Sequence, residues 1–214
     1  MVDSKVLTNP TDRKVAEPKV DRLSDPKSRP EKVYAFIDSQ NLNVGTQKFG
    51  WKMNWVRFRK WLADEYNVEN AYMFIGYIPE NEALYEQMHD AGFLVVLKQT
   101  FDMTRLPPEE KFDANGVPEE KPPVKGNVDT DLVLWAMKEL GNYQKAIIVS
   151  GDGDFFSLVE YLHSKKRLLH VMTPSGHYSQ LYRAYEEYIV QLDHHKRTLQ
   201  YRDHKSRPKN PKDK

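Results

Sequence analysis

The stretch Val33-Tyr34-Ala35-Phe36-Ile37-Asp38-Ser39-Gln40-Asn41 decides the fold. Residues 33–37 are apolar or aromatic without a break, and Asp38 ends the run. A strand with one wet face would alternate, whereas an unbroken run reads as a strand covered on both sides. Similar runs recur at 71–78, closed by Pro79, and at 93–97, 146–149 and 168–172. Between them the period changes. Trp55, Phe58, Trp61, Leu62 and Tyr66 follow helical spacing behind Asn54, a suitable N-cap. Ala83, Leu84, Met88 and Ala91 share one face of a helix over 80–91, with Gly92 placed as its C-terminal glycine. Helices are also predicted at 129–140, closed by Gly141, at 155–164 and at 179–185. Residues 188–192 fit a short strand or a helix, and the residues just after Asp38 read as a loop. Strands alternating with helices predict right-handed crossovers and an α/β fold around a mainly parallel central sheet.

The flanks differ from this body. Residues 1–31 hold Pro10, Pro18, Pro26 and Pro30 among many charges, a composition expected to stay disordered. Residues 102–125 interrupt the pattern with Pro107, Pro108, Pro118, Pro122 and Pro123, an insert suited to gating a cleft or binding a protein partner. Residues 193–214 read as a basic tail. The whole chain of 214 residues carries a formal charge of +1, but that mean describes no part of it. Residues 1–32 carry 8 basic and 6 acidic side chains, and residues 195–214 carry 8 and 2. The body between them holds 16 basic and 23 acidic residues, a net of −7. An acidic domain thus bears a basic arm of the kind that contacts phosphates. There is no Cys, which excludes a disulfide framework and a thiol nucleophile and agrees with a cytoplasmic setting. Neither a secretory leader nor an apolar run of about 18 residues is present, so no membrane association is expected.

Carboxylates gather where an open parallel sheet binds ligands, beyond the carboxyl ends of its strands. Asp38 follows the first strand. Asp152 and Asp154 follow the 146–149 strand within Ser150-Gly151-Asp152-Gly153-Asp154. Asp129 and Asp131 open a helix within Lys125-Gly126-Asn127-Val128-Asp129-Thr130-Asp131. Crowded carboxylates repel, and a hard divalent cation relieves that repulsion, so Mg²⁺ or Mn²⁺ is the natural cofactor. Such an ion polarises phosphodiesters. Each Asp also has a plainer role as a turn or helix cap. Gly151 and Gly153 are expected to use positive φ to bring two acids round one turn. Ser150 is suited to bond a ligand carboxylate or a substrate phosphate, and equally to stabilise the turn; Lys125 is suited to bind a substrate phosphate or only to solvate its loop. Phe49 and Trp51 are candidates to stack on a base, and His177 to touch substrate. The tryptophans otherwise read as core, and His194 and His195 as part of the tail.

Three blocks in this order resemble a known family. They are Phe36-Ile37-Asp38-Ser39-Gln40-Asn41, Lys125-Gly126-Asn127-Val128-Asp129-Thr130-Asp131-Leu132 and Val149-Ser150-Gly151-Asp152-Gly153-Asp154-Phe155. Together they are similar to the NYN domain, the LabA-like branch of the PIN-like nuclease superfamily, across residues 33–192. The resemblance implies a three-layer α/β/α PIN-like fold and a metal-dependent ribonuclease that leaves 5′-phosphate and 3′-hydroxyl ends. It matches Asp38, Asp129, Asp152 and Asp154 to the catalytic and metal-binding acids, and Asn41 to their polar companion. RNA is then the expected partner, and a homo-oligomer is open. Where the family often shows Ala-Asp-x-Phe after a serine, this chain has Ala184-Tyr185-Glu186-Glu187-Tyr188. Two other functions fit parts of the pattern. A haloacid-dehalogenase-type phosphohydrolase also uses an Asp after its first strand, but it needs a second Asp where this chain has Gln40. A non-catalytic RNA-binding or regulatory protein could retain the same acids.

Overall fold

The computed structural model describes residues 31–98 and 128–202. The N-terminal segment to residue 30, residues 99–127 with the whole Pro-rich insert and Lys125, and the tail from residue 203 lie outside the described residues.

Among the described residues, six strands form one sheet. They are β1 (Val33–Asp38), β2 (Val68–Gly76), β3 (Leu94–Lys98), β4 (Lys145–Val149), β5 (Leu168–Thr173) and β6 (Ile189–Gln191). Their spatial order is β3-β2-β1-β4-β5-β6, and every pairing is parallel. The chain winds outward from β1 in one direction, then returns to pair β4 on its other side. The strand order therefore reverses between β1 and β4.

The unbroken apolar run of β1 is explained by its central place: all six residues are buried. Successive side chains point to opposite faces. Val33, Ala35 and Ile37 join Ala71, Met73, Ile147 and Val149 in one core, while Tyr34 and Phe36 join Tyr72, Phe74, Ala146 and Ile148 in another. Helices cover both faces, completing the three layers. The first core takes Leu42 from α1 (Ser39–Lys48), Phe58, Trp61 and Leu62 from α2 (Trp55–Tyr66), and Met88 from α3 (Glu82–Asp90). The second takes Leu132 and Ala136 from α4 (Asp129–Lys138) and Leu158, Val159 and Leu162 from α5 (Phe156–Ser164). Fully burying one such side chain is worth about 1.5–3 kcal/mol, so β1 and its neighbours anchor the domain.

Several predicted boundaries hold. Asn54 caps α2 by accepting the Arg57 N–H at 3.0 Å, and Gly92 has φ +91° after α3. Other segments differ. Residues 39–48 are a helix rather than a loop, begun by Asp38 as its N-cap. The predicted 179–185 helix is a 3₁₀ segment, Gln180–Tyr188, kinked at Tyr185, and the following residues form β6. The body also extends past its expected end. Leu192 and Leu199 are fully buried, Leu199 lies in the short helix α6 (Lys196–Leu199), and Gln200 bridges to Met53. Residues 193–202 are therefore packed chain, because Leu199 among the charges reaches the first core beside Leu192; the His195 ring centroid lies 4.9 Å from that of Trp61.

Candidate metal and nucleic-acid site

Parallel register places the key residues side by side. Ile37 pairs with Val149, so Asp38 and Ser150 are the next residues out of the sheet, at the point where the strand order reverses. The Ser150 hydroxyl donates to Asp38 Oδ2 at 3.2 Å and accepts the Asp152 backbone N–H at 3.1 Å. The Asn41 backbone N–H donates to Asp38 Oδ1 at 3.0 Å, and Asn41 Oδ1 accepts the Gly151 N–H at 2.9 Å. These bonds sew the end of β1 to the turn after β4. Ser150 thus bonds the Asp38 carboxylate and also holds the turn through the Asp152 N–H, and its side chain is fully buried. Asn41 likewise spends its carbonyl oxygen on the Gly151 N–H. Ser39 is buried and donates to the Phe74 carbonyl at 2.8 Å.

Asp38 is only 7% exposed. Burial pushes its carboxyl above the ordinary range, and the charges of Asp129 and Asp152 push the same way, against the bonds from Asn41 and Ser150. The side chain that caps α1 thus also senses acids from two other segments. The same carboxylate therefore caps α1 and lies within the field of two other acids, so capping does not exclude a further role for it.

Asp129 and Asp131 occupy the first turn of α4, where Val128 supplies no side-chain cap. Negative charge is favoured there by the orphan N–H groups and the helix dipole. Asp131 is engaged elsewhere: its Oδ1 meets Lys98 Nζ at 3.2 Å. Lys98 ends β3 on this same edge and is a neighbour that the sequence reading misses; its position as the last residue of a strand is the available signal.

Asp152 is exposed, and its Oδ1 accepts the Asp154 N–H at 3.1 Å, closing the 3₁₀ turn Gly153–Phe155. Asp154 is exposed on the same turn and is not among the charges acting on Asp38. Beneath the turn, the buried Tyr182 hydroxyl donates to the Asp152 carbonyl. Burial first, then the charges of Asp152 and Asp154, raise the pKa of that phenol. Gly151 and Gly153 do not use positive φ, contrary to expectation. Gly153 is needed for close approach instead, since a Cβ there would lie 2.5 Å from Ser179 Oγ.

The structure therefore unites Asp38, Asn41, Ser150 and Asp152 by hydrogen bonds and Asp129 by its field. Among the described residues, no three acidic or histidine side chains close into a ready-made cage. The donor set is all oxygen, few in number and open on one side. It fits a hard cation that keeps several waters, such as Mg²⁺ or Mn²⁺, better than it fits a soft or fully enclosed metal.

Of the aromatic candidates, Trp51 is 5% exposed and belongs to the core, so it offers no face to a base. Phe49 is 37% exposed, and its ring centroid lies 5.1 Å from that of His177, which is exposed on the loop after β5. No described helix is long and apolar enough to cross a membrane.

Comparison with known proteins gives this geometry a context. The low amplitude and bright protein LabA of Synechococcus elongatus is 28% identical over 153 residues, which cover 69% of this chain and 76% of that protein. A solved structure of a Vibrio parahaemolyticus protein of unknown function aligns at 21% identity with a TM-score of 0.48, covering 68% of this chain and 82% of that one. The NYN domain profile matches residues 32–193, a span that includes every strand of the sheet and each acid discussed above. The chain belongs to the NYN domain family.

Proposed function

We propose that the protein is a metal-dependent ribonuclease that hydrolyses RNA phosphodiester bonds at the β1–β4 edge. The observation that carries this reading is Asp38, a buried carboxylate whose charge is opposed by Asp129 and Asp152 from two other segments. Folding does not relieve that repulsion; a divalent cation would. Membership of the NYN family, a branch of the PIN-like nucleases, supports the same chemistry.

Asp38, Asp129 and Asp152 would hold Mg²⁺ or Mn²⁺, with Asp154 as a more exposed contributor. When bound, the ion would polarise the scissile phosphate and acidify water nearby. The remaining work falls to the protein. Ser150 and the Asn41 backbone fix both Asp38 oxygens. Tyr182 and Ser150 hold the Asp152 backbone from two sides, so the exposed carboxylate starts from a fixed turn. Preorganisation of this kind keeps charged groups aimed at a reacting phosphate without reorganisation at the moment of reaction. Substrate backbone would be held by Lys125 and by the basic residues beyond 202. The acidic body alone repels a polyanion, so the cation is needed for binding as well as for chemistry. Products would carry 5′-phosphate and 3′-hydroxyl ends.

Incubating the full chain and its Asp152→Asn variant with structured and single-stranded RNA, in Mn²⁺ or in chelator, tests this. Cleavage by the parent in Mn²⁺ alone, lost in the variant, is expected. RNA bound but uncut across a series of divalent metals would instead identify a binding protein. A phosphoaspartate trapped on Asp38 would identify a phosphohydrolase.

A further inference from the structure

Among the described residues, six strands end at the acidic edge, and of their last residues only Lys98, which closes β3, is a cation. Register sets it on the face of the sheet that Asp38 uses. Asp38 pairs with Phe74 and Phe74 with Val96, and Lys98 lies two residues beyond Val96. Residues two apart share a face, and Phe74 and Val96 both pack into the second core, on the side that α4 covers.

The first turn of α4 joins the two. The Asp129 charge acts on Asp38, while Asp131 Oδ1 meets Lys98 Nζ at 3.2 Å. Side chains two apart on a helix point about 200° apart, so this turn faces β1 with one carboxylate and β3 with the other. Strands β1 and β3 are two places apart in the sheet, and Lys98 lies two residues further out than Asp38, which separates their Cα atoms by about 12 Å. The ammonium is thus fixed on the β3 side of the turn, where it addresses a phosphate next along the strand rather than the one at the acids. It is held yet reachable, with 30% of the side chain exposed. An ammonium carries three N–H donors, more than one carboxylate oxygen engages. Nor does Asp131 cancel its charge, because the positive end of the α4 dipole takes a share of that carboxylate.

As a clasp between β3 and α4, a partly exposed ion pair contributes little. As a substrate contact it meets a need. The body carries a net charge of −7, so a polyanion that reaches the acids is repelled along its length. A divalent ion offsets this at the acids alone, and the neighbouring phosphate needs a cation of its own. Resting on the ribonuclease reading, we propose that Lys98 binds the backbone phosphate next to the scissile one, and that Asp131 is the positioning residue of that lysine and not a metal ligand.

The test uses the full chain carrying Asp152→Asn, in Mg²⁺, and a labelled oligouridine of about 12 nucleotides, within the range of single-strand site sizes. Affinity is measured between about 0.05 and 0.5 M salt. Losing one phosphate contact lowers the slope of log affinity against log salt by about 0.7, which is roughly fivefold in affinity at 0.1 M. Lys98→Met is expected to show that drop, and Lys98→Arg to keep the parent slope. A merely structural role would weaken binding alike at every salt concentration. An unmoved slope in Lys98→Met, or a slope that Lys98→Arg does not keep, overturns the contact. In an Asp131→Asn background Lys98→Met should cost no more than about twofold, because an unheld lysine pays the entropy of being ordered; the full effect there overturns the positioning role. Asp131→Asn should also keep Mn²⁺ affinity, read by titration of the otherwise unsubstituted chain, within about threefold, and a larger loss makes Asp131 a ligand. The two readings fail separately. RNA bound but uncut by the unsubstituted chain in Mn²⁺, with the slope change intact, removes the nuclease and leaves the contact, whereas cleavage with an unmoved slope does the reverse.

Discussion

Replacing Asp38 with Asn is expected to end cleavage and to stabilise the fold in the same molecule. Asp38 is 7% exposed, and its carboxyl is raised by burial and by Asp129 and Asp152, more than Asn41 and Ser150 lower it. A carboxyl that binds its proton more tightly when folded is a cost to the native state above its folded pKa. That cost shrinks as the pH falls through the folded pKa. Asn keeps a carbonyl oxygen to accept the Asn41 N–H, so the α1 cap survives while the charge goes. Ser150 can turn to accept the new amide. The expected gain is about 1 kcal/mol at pH 7.5, the size found when strain at a functional site is relieved. For a domain of about 160 residues that is roughly 2–4 °C in Tm. Thermal melts of parent and variant in chelator read it directly. Adding Mn²⁺ should then raise the Tm of the parent, because a ligand of the native state stabilises it by mass action, and should leave the variant nearly unmoved. A variant that melts below the parent in chelator refutes the reasoning, for it would mean that the Asp38 charge is already compensated.

Two further outcomes are expected. Gly45→Ala should lower Tm by several degrees despite the better helix propensity of Ala, because the new methyl would meet Pro174 at 2.5 Å; equal or higher stability would show that the β5 loop is not pinned to α1. His170 is partly buried against Tyr66 and bonded to the Tyr188 carbonyl, and burial lowers its pKa below 6.5. Above pH 6.5 it contributes no pH dependence. As the pH falls below that value the unfolded chain gains a proton that the folded chain resists, so stability declines until the folded pKa is reached. Melts from pH 7 to pH 5 should show a steeper fall for the parent than for His170→Phe, and parallel curves would count against this.

The centre of the sheet is legible because β1 and β4 are buried on both faces, which leaves the apolar runs 33–37 and 146–149; the edge strand β3 carries a similar run although Leu94 and Leu97 are exposed. The acids are legible because each follows a strand or opens a helix. Helix α1 is not, since Ser39, Asn41, Asn43, Gly45 and Thr46 are weak helix formers; its signals are the Asp38 cap and the buried Ser39, Leu42 and Thr46 at helical spacing. Residues 193–202 mislead for a related reason: charge dominates the reading, while a single buried leucine, Leu199, determines the packing. The part played by Ser150 cannot be read from its neighbours in sequence. It depends on a register that pairs Ile37 with Val149 across more than a hundred residues.

That separation has a consequence for when the site comes into being. Asp38 is among the first residues of the folded body to be synthesised, whereas Asp129, Ser150 and Asp152 arrive late, and β4 must enter beside β1 before any of them meet. A nascent or truncated chain can build β1, β2 and β3 as a local unit, yet it holds a single carboxylate and no centre. On the proposed reading, the centre is withheld until the longest-range strand pairing of the sheet has closed, so an unfinished chain would not cut the RNA around it.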